Sequence, residues 1–440
     1  MHGGEVVPTA VVLSHTEQLA RLAAGCPQAL PRAVVAGDPC ADQLAAGLPF
    51  RETYRRALGL RPGQRLLVVS STWGQGSALG TPHTDLIRRA LAELPSDEFR
   101  VLAAIHPNAW HRHSVWQWQN WLAPYVDSGL LLPVPETETW KAALCAADCL
   151  VGDHGSVTFY GVSLGIPCVL GAFEDATVAA GSPMDRLGRL LPRLDRTRPL
   201  LAQLRSAAES QPYDRALAEV AREVTSEPGR AAALLRRLFY GRLALPEPGH
   251  PATTRPIPVP TTPRPLRHLP YEEAKFVTAN VVEHADGPAA TVTLHRYPAV
   301  HQRAQDRHLA GARLTADPDD PDVRWPRSAD VLLVPLGRLA GPDALSRAAL
   351  AARFPGAALV AVEEPDAGCL LLPAGGTPLR CRWLRRPAWA SFASAASAAH
   401  AWVTAAPRTG GRIRLRVRAG SGMEPGLLEL TSPEGTPGTG

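Results

Sequence analysis

The chain has 440 residues, 45% of them hydrophobic, which is enough for two or three packed units because single cores stop growing near ~250 residues. Lys and Arg number 46 against 41 Asp and Glu, and this small excess is spread along the chain, which excludes a nucleic-acid-binding arm. No run reaches the roughly 18 consecutive apolar residues of a membrane span, and the opening Met1-His-Gly-Gly-Glu5 lacks the flank and core of a signal peptide, so a cytoplasmic location is expected.

In chain order, the stretch 1–245 alternates short apolar runs with amphipathic segments, the rhythm of a parallel sheet wrapped by helices. Strands are expected over 65–70, 100–105, 130–134, 148–152 and 167–171, all of the buried type. Helices are expected over 85–94, 114–126 and 140–147, and then over 184–191, 200–209, 214–224 and 229–240. Trp110 and Trp116 fall off the apolar face of their segment and are expected to line a pocket or a contact surface. Nine prolines between Pro246 and Pro270 rule out helix and central strand, so 246–270 reads as an extended linker, with the flanking units expected to fold independently. Beyond it, 271–430 reads as a smaller α/β or α+β module. Its strands are expected over 276–282, 291–295, 330–335, 358–362, 369–372, 379–384 and 412–417, and its helices over 343–354 and 388–405. Residues 431–440 have no apolar anchor and are expected to be disordered.

Seven cysteines, an odd number with no Cys-x-x-Cys pair, suggest neither a disulfide framework nor a zinc ribbon. Cys145 and Cys149 are expected on one helical face, as core. His106, His111 and His113 have irregular spacing and no supporting carboxylate, so no metal or other cofactor is expected.

In an open parallel sheet, ligands bind outside the carboxyl ends of the strands. Three segments fall there. The loop Ser70-Ser-Thr-Trp-Gly-Gln-Gly-Ser77 offers hydroxyls and amides, with Ser71, Thr72 and Trp73 as contacts, or it is simply a turn; it matches neither a P-loop nor a dinucleotide fingerprint. His106, before Pro107, is either a donor and acid/base group in the cleft or a satisfied surface histidine. The strongest constellation is Asp153-His-Gly-Ser-Val-Thr158, where a strand breaks and a helix begins. Free amides at Ser156, Val157 and Thr158 make an anion site, with Asp153, His154 and Gly155 forming the turn. The alternative is an ordinary helix cap without a ligand.

The run Ala147-Asp-Cys-Leu-Val-Gly-Asp-His-Gly-Ser-Val-Thr-Phe-Tyr-Gly-Val-Ser-Leu-Gly-Ile-Pro167 resembles the nucleotide-phosphate motif of the CDP-glycerol glycerophosphotransferase family of teichoic-acid enzymes, approximately A-D-x-L-I-T-D-Y-S-S-V-x-F-D-Y-x-x-L-x-x-P. More loosely it is similar to the D-S-G-G-x-Q-E-E motif of UDP-N-acetylglucosamine 2-epimerase and related GT-B glycosyltransferases. Val35-Ala-Gly-Asp-Pro-Cys-Ala-Asp42 is similar to the G-x-P-x-x-D element that opens the carboxyl-terminal GT-B half, and Leu66-Leu-Val-Val-Ser-Ser-Thr-Trp73 to the transferase family's P-T-W-R loop, with Gly74 where that family has Arg. The family's helix carboxylate falls on Phe159 or Tyr160.

This resemblance implies the Rossmann-like nucleotide-binding half of a GT-B fold, with residues 1–36 as the remnant of an acceptor-binding half. That half would lie upstream or on a separate chain. The implied partner is a nucleotide diphosphate donor, CDP- or UDP-linked. The implied activity is transfer of a glycosyl or glycerophosphoryl group to a hydroxyl in cell-envelope or secondary-metabolite assembly. The alternatives are a 2-epimerase, whose carboxylates have no counterparts here, and a non-catalytic nucleotide-binding or scaffold protein.

Overall fold

The computed structural model describes residues 5–79, 85–134, 137–261, 270–303, 307–338, 349, 352–375, 377–405, 411–420 and 422–432. The opening segment pairs β1 (Val11–Leu13) in parallel with β2 (Ala33–Val35), with α1 (Glu17–Gly25) between them. Helices α2 (Pro39–Gly47) and α3 (Arg51–Ala57) lead into a parallel sheet built from β3 (Arg65–Ser71), β4 (Phe99–Ile105), β5 (Cys149–Gly152) and β6 (Cys168–Leu170). Between β3 and β4 lies α4 (Leu86–Glu93). Between β4 and β5 lie α5 (Pro107–His113), α6 (Val115–Asp127) and α7 (Thr139–Ala146), and α8 (Ser156–Ser163) joins β5 to β6. Four more helices follow: α9 (Pro183–Leu190), α10 (Leu200–Ser210), α11 (Arg215–Arg222) and α12 (Ala231–Arg242).

The strands are apolar on both faces because both faces are covered. Leu66, Val68, Leu102, Ala104, Leu150 and Leu170 join a core under α2, α3, α7 and α8. Their alternate neighbours Leu67, Val69, Val101, Ala103, Val151 and Val169 join a second core under α4, α6 and α10. Each fully buried Leu or Val contributes about 1.5–3 kcal/mol of transfer free energy, so the two-sided burial is a main source of the sheet's stability. The spatial order is β4-β3-β5-β6. The chain moves outward from β3 to β4 and returns on the other side at β5, and this places the topological switch point between β3 and β5.

Three local expectations change. The strand expected over 130–134 is reduced to a single parallel bridge, Leu102 to Leu131, because Pro133 ends the pairing. Cys149 lies in β5 and not on a helix with Cys145, the helix having ended at Ala146. Trp110 is not at a surface: it is 1% exposed and packs 6.1 Å from Trp118, whereas Trp116 is 70% exposed.

The second unit contains β7 (Lys275–Glu283), β8 (Ala290–Pro298), β9 (Arg313–Ala316), α13 (Arg324–Ser328), β10 (Val331–Val334), β11 (Leu359–Glu364), β12 (Gly368–Pro373), β13 (Leu379–Arg385), α14 (Phe392–Ala405), β14 (Ile413–Arg418) and β15 (Gly426–Thr431). Its strands form a closed nine-stranded barrel in the order β10-β11-β12-β13-β15-β14-β8-β7-β9. The expectation of an α/β or α+β module is thereby made specific. The barrel closes around α14, whose Ala393, Ala395, Ala396, Ala398 and Ala399 lie in one core with Val292, Leu333, Leu371, Leu415 and Leu428 from strands around the wall. Small side chains let strands approach the helix from every side. Most of the helix expected over 343–354 lies outside the described residues; of the tail expected to be disordered over 431–440, Thr431 instead ends β15, paired with Arg380, and 433–440 lie outside the described residues.

The two units are not independent bodies joined by a tether. Arg296 of β8 is buried and makes a bidentate pair with buried Asp97, at 2.7 Å for each bond. Glu98 accepts from His295 Nδ1 at 2.8 Å, Ser96 N–H donates to the Arg296 carbonyl, and Arg88 donates to the His301 carbonyl. Gly63, at φ +78°, lies so close to the Gly422 carbonyl that a Cβ would collide with it. The proline-rich segment is itself anchored: Ile257 is 5% exposed within the first core, and its carbonyl accepts from the Tyr54 hydroxyl at 2.7 Å.

Candidate functional site

The loops after β3 and β5 diverge at the switch point, and Asp153 ties them together. Its carboxylate, fully buried, accepts from Thr72 N–H at 2.8 Å, Ala78 N–H at 3.0 Å and Gly155 N–H at 2.9 Å. Its own N–H donates to Thr158 Oγ1 at 3.0 Å. Asp153, expected in the turn of the phosphate-binding segment, and the side chain of Thr158 are both turned inward and spent on that turn, the carboxylate organising three amides. Ser71 is also 4% exposed, its hydroxyl accepting from Leu79 N–H and donating to the Thr72 carbonyl.

What faces outward is narrower than the sequence suggested. Gly155 is the N-cap of α8 with extended backbone, φ −82° and ψ 158°, and no side chain caps the helix. The Thr158 N–H is consumed by the Gly155 carbonyl at 3.1 Å. The amides of Ser156 and Val157 are the first two of the helix, which have no intrahelical acceptor, and they lie at its positive end. Ser156 is exposed, Val157 and Thr72 are half-buried, and Trp73 is 55% exposed. A Cβ on Gly155 would lie 3.0 Å from Thr72 Cβ and 3.0 Å from Asp153 Oδ1, so a side chain there would need the neighbouring loop to shift by a few tenths of an ångström.

His106 stands beside this group. Its N–H bonds to the Ser71 carbonyl, which fixes it at the end of β4 against the β3 loop. Nδ1 accepts from Asn108 N–H at 3.0 Å, capping α5, so the neutral ring carries its proton on Nε2. Burial holds its pKa below the ordinary histidine value, and the Asp153 carboxylate opposes that shift. A neutral Nε2–H is a donor, not a base. His154 is half-buried, its ring edge-on to Phe173 at 6.0 Å, and its Nδ1 is buried without a partner.

Where the family motif has a carboxylate, Tyr160 donates to Asp38 Oδ2 at 2.9 Å, and burial raises its pKa. Among the described residues no group of three or more His, Cys, Asp or Glu side chains is arranged to hold a metal ion.

A cleft of about 550 Å³ opens on the other side of the β5 turn, lined by the rear of the β3 loop (Gln75 to Ala78), the start of α4, and the loop after β6. Arg89 and Arg196 line it, and neither was singled out in the sequence. Arg89 is followed at i+4 by Glu93, the pattern of an ordinary helix ion pair, so nothing in the pattern marks it.

No protein-family model and no curated protein matches the chain. Among solved structures it is similar to the wall teichoic acid polymerase TagF, at 13% identity and TM-score 0.34, covering 53% of this chain and 57% of that one. A TagF variant soaked with CDPG gives 14% and 0.36, covering 54% and 58%. HepE from Anabaena in complex with UDP and glucose gives 12% and 0.30, covering 54% and 64%. The chain therefore spans less than two thirds of the length of each.

Proposed function

We propose that the β3–β6 unit binds a nucleotide diphosphate donor, CDP- or UDP-linked, and that the chain transfers a glycosyl or glycerophosphoryl group from it to a hydroxyl acceptor. The observation that carries this reading is that the N-terminus of α8, with the Ser156 and Val157 amides free of intrahelical acceptors, stands at the switch point next to the loop of Thr72, to which the backbone of His106 is bonded. Both amides are donors, and a diphosphate is all acceptor. In glycosyl transfer the acceptor oxygen attacks the sugar carbon and the nucleoside diphosphate leaves; in glycerophosphoryl transfer it attacks phosphorus and the nucleoside monophosphate leaves. Either way negative charge grows on the leaving phosphate, where fixed donors lower the barrier.

A second reading, binding without turnover, is favoured by one observation. The carboxylate at this place, Asp153, is saturated by three amides and is no base for the acceptor proton.

The test is calorimetric titration with CDP, UDP, cytidine and uridine. The diphosphates bind at least tenfold better than the nucleosides, about 1.4 kcal/mol. Ser156→Pro deletes one amide while proline suits the first helical position, so it removes most of that preference and leaves the melting temperature unchanged. Equal affinity for nucleoside and diphosphate in the unmutated protein overturns the reading; diphosphate binding without transfer to any hydroxyl acceptor selects the second.

A further inference from the structure

We infer that the cleft behind the β5 turn is a second anion subsite, in which Arg89 and Arg196 hold a phosphate group of the bound ligand. Arg89 is 6% exposed. Its Nε donates to Glu93 Oε1 at 2.5 Å, and its Nη2 donates to Glu93 Oε2 and to the Arg198 carbonyl at 3.2 and 3.0 Å. Glu93 is in turn held by Leu200 N–H at 2.7 Å. The guanidinium is therefore fixed in plane and direction, yet its Nη1 is buried with no acceptor among the described residues. A buried, charged donor left unpaired costs free energy, and the natural partner of an unspent guanidinium edge is an oxyanion.

The surroundings agree. Arg196, also lining the cleft and exposed, makes no ion pair among the described residues, so the cleft carries one positive charge that is not already neutralised as that of Arg89 is by Glu93. Asp85 on the same wall is already taken by Arg88 and Arg303. Glu174 is the one lining carboxylate without a basic partner among the described residues; its side chain lies against Gly76. It suits a hydroxyl on the group attached to the phosphate. The ligand class is thus a phosphate ester bearing hydroxyls, about the composition of a phosphorylated sugar or polyol, and the cleft volume of about 550 Å³ lies within the range for such small molecules. Phe173 joins this subsite to the first: it lines the cleft and meets the ring of His154 beside the α8 amides.

The inference rests on the donor-site reading for its ligand, and the test keeps the two apart. The full chain is titrated with pyrophosphate, with glycerol 3-phosphate and with UDP, as unmutated protein, Arg196→Gln and Arg89→Lys. Arg196 is exposed, so its variant folds, and Lys at position 89 keeps the charge near Glu93 while losing the fork. The expected result is a tenfold or greater loss of glycerol 3-phosphate affinity in both variants, while Ser156→Pro leaves it within twofold. Retention of glycerol 3-phosphate affinity in both arginine variants, or its absence in the unmutated chain, overturns the subsite even when UDP binds. Arginine-dependent glycerol 3-phosphate binding in a chain that does not bind UDP supports the subsite and removes the donor reading instead.

Discussion

His301 shows how a single side chain reports on the contact between the units. It is 4% exposed, against the Tyr125 ring at 5.0 Å, and burial together with the Arg88 cation pushes its pKa down to about 4. The unfolded chain, with an ordinary histidine near 6.5, takes up the proton first as the pH falls. The stability due to a neutral His301 is therefore fully present above pH ~6.5 and is lost between there and pH ~4, roughly 3 kcal/mol in all. Burial depresses His400 in the same direction, so the test is comparative. Urea midpoints measured at pH 7.5 and 4.5 should fall less in His301→Gln than in the unmutated protein; equal falls would assign the acid sensitivity elsewhere. Gly155 makes a different point. Gly155→Val would cover the amides, but its Cβ would lie 3.0 Å from Thr72 Cβ and from Asp153 Oδ1, so the turn would have to shift to admit it. The expected outcome is loss of thermal stability together with binding, which is why Ser156→Pro is the cleaner probe.

The pairing of the two switch-point loops depends on one carboxylate. Asp153→Ala leaves the amides of Thr72, Ala78 and Gly155 without their acceptor, and each buried orphan costs about 1–3 kcal/mol. Hydrogen exchange at Thr72 and Ala78 should accelerate at least tenfold while amides within β4 stay protected; uniform acceleration would mean global unfolding instead. The strands that carry these loops were legible in advance, because runs such as Leu66-Leu-Val-Val69 are buried on both faces and need no alternation to be recognised. The inward turn of Asp153, Thr158 and Ser71 was not legible. An Asp before a helix reads the same whether it faces a ligand or two amides of a loop some 80 residues earlier, and only the sheet order brings that loop beside it. In the second unit, strands such as β8 and β14 alternate and β12 is a short apolar run, and all three were read in advance, but β9, four residues long, and β15 were missed. Closure was hidden for the same reason: β15 inserts between β13 and β14, and β14 pairs with β8, partners no local pattern announces.

For the molecule as a whole, the buried Arg296–Asp97 pair governs how the units come apart. Burial disfavours the Asp97 charge, but the guanidinium outweighs it and holds the carboxyl below its usual range. Removing one partner leaves the other charge stranded, so Asp97→Asn should cost on the order of 3–5 kcal/mol and split a single calorimetric transition into two. A protease cut among the exposed residues of 246–261 should give fragments that still co-migrate on a sizing column in native buffer; separation on cutting would show that the interface is weaker than its bonding implies. The barrel's strand order also imposes a timetable on its own birth. The free edge of β8 waits for β14, whose first residue, Ile413, is made 115 positions after Pro298. At ribosomal speeds of ~5–20 residues per second that wait lasts roughly 6–23 s. Until α14 (Phe392–Ala405) has been made, the nascent wall has open edges and no central helix to close upon, so the seconds before β14 pairs with β8 are when the barrel most needs a chaperone.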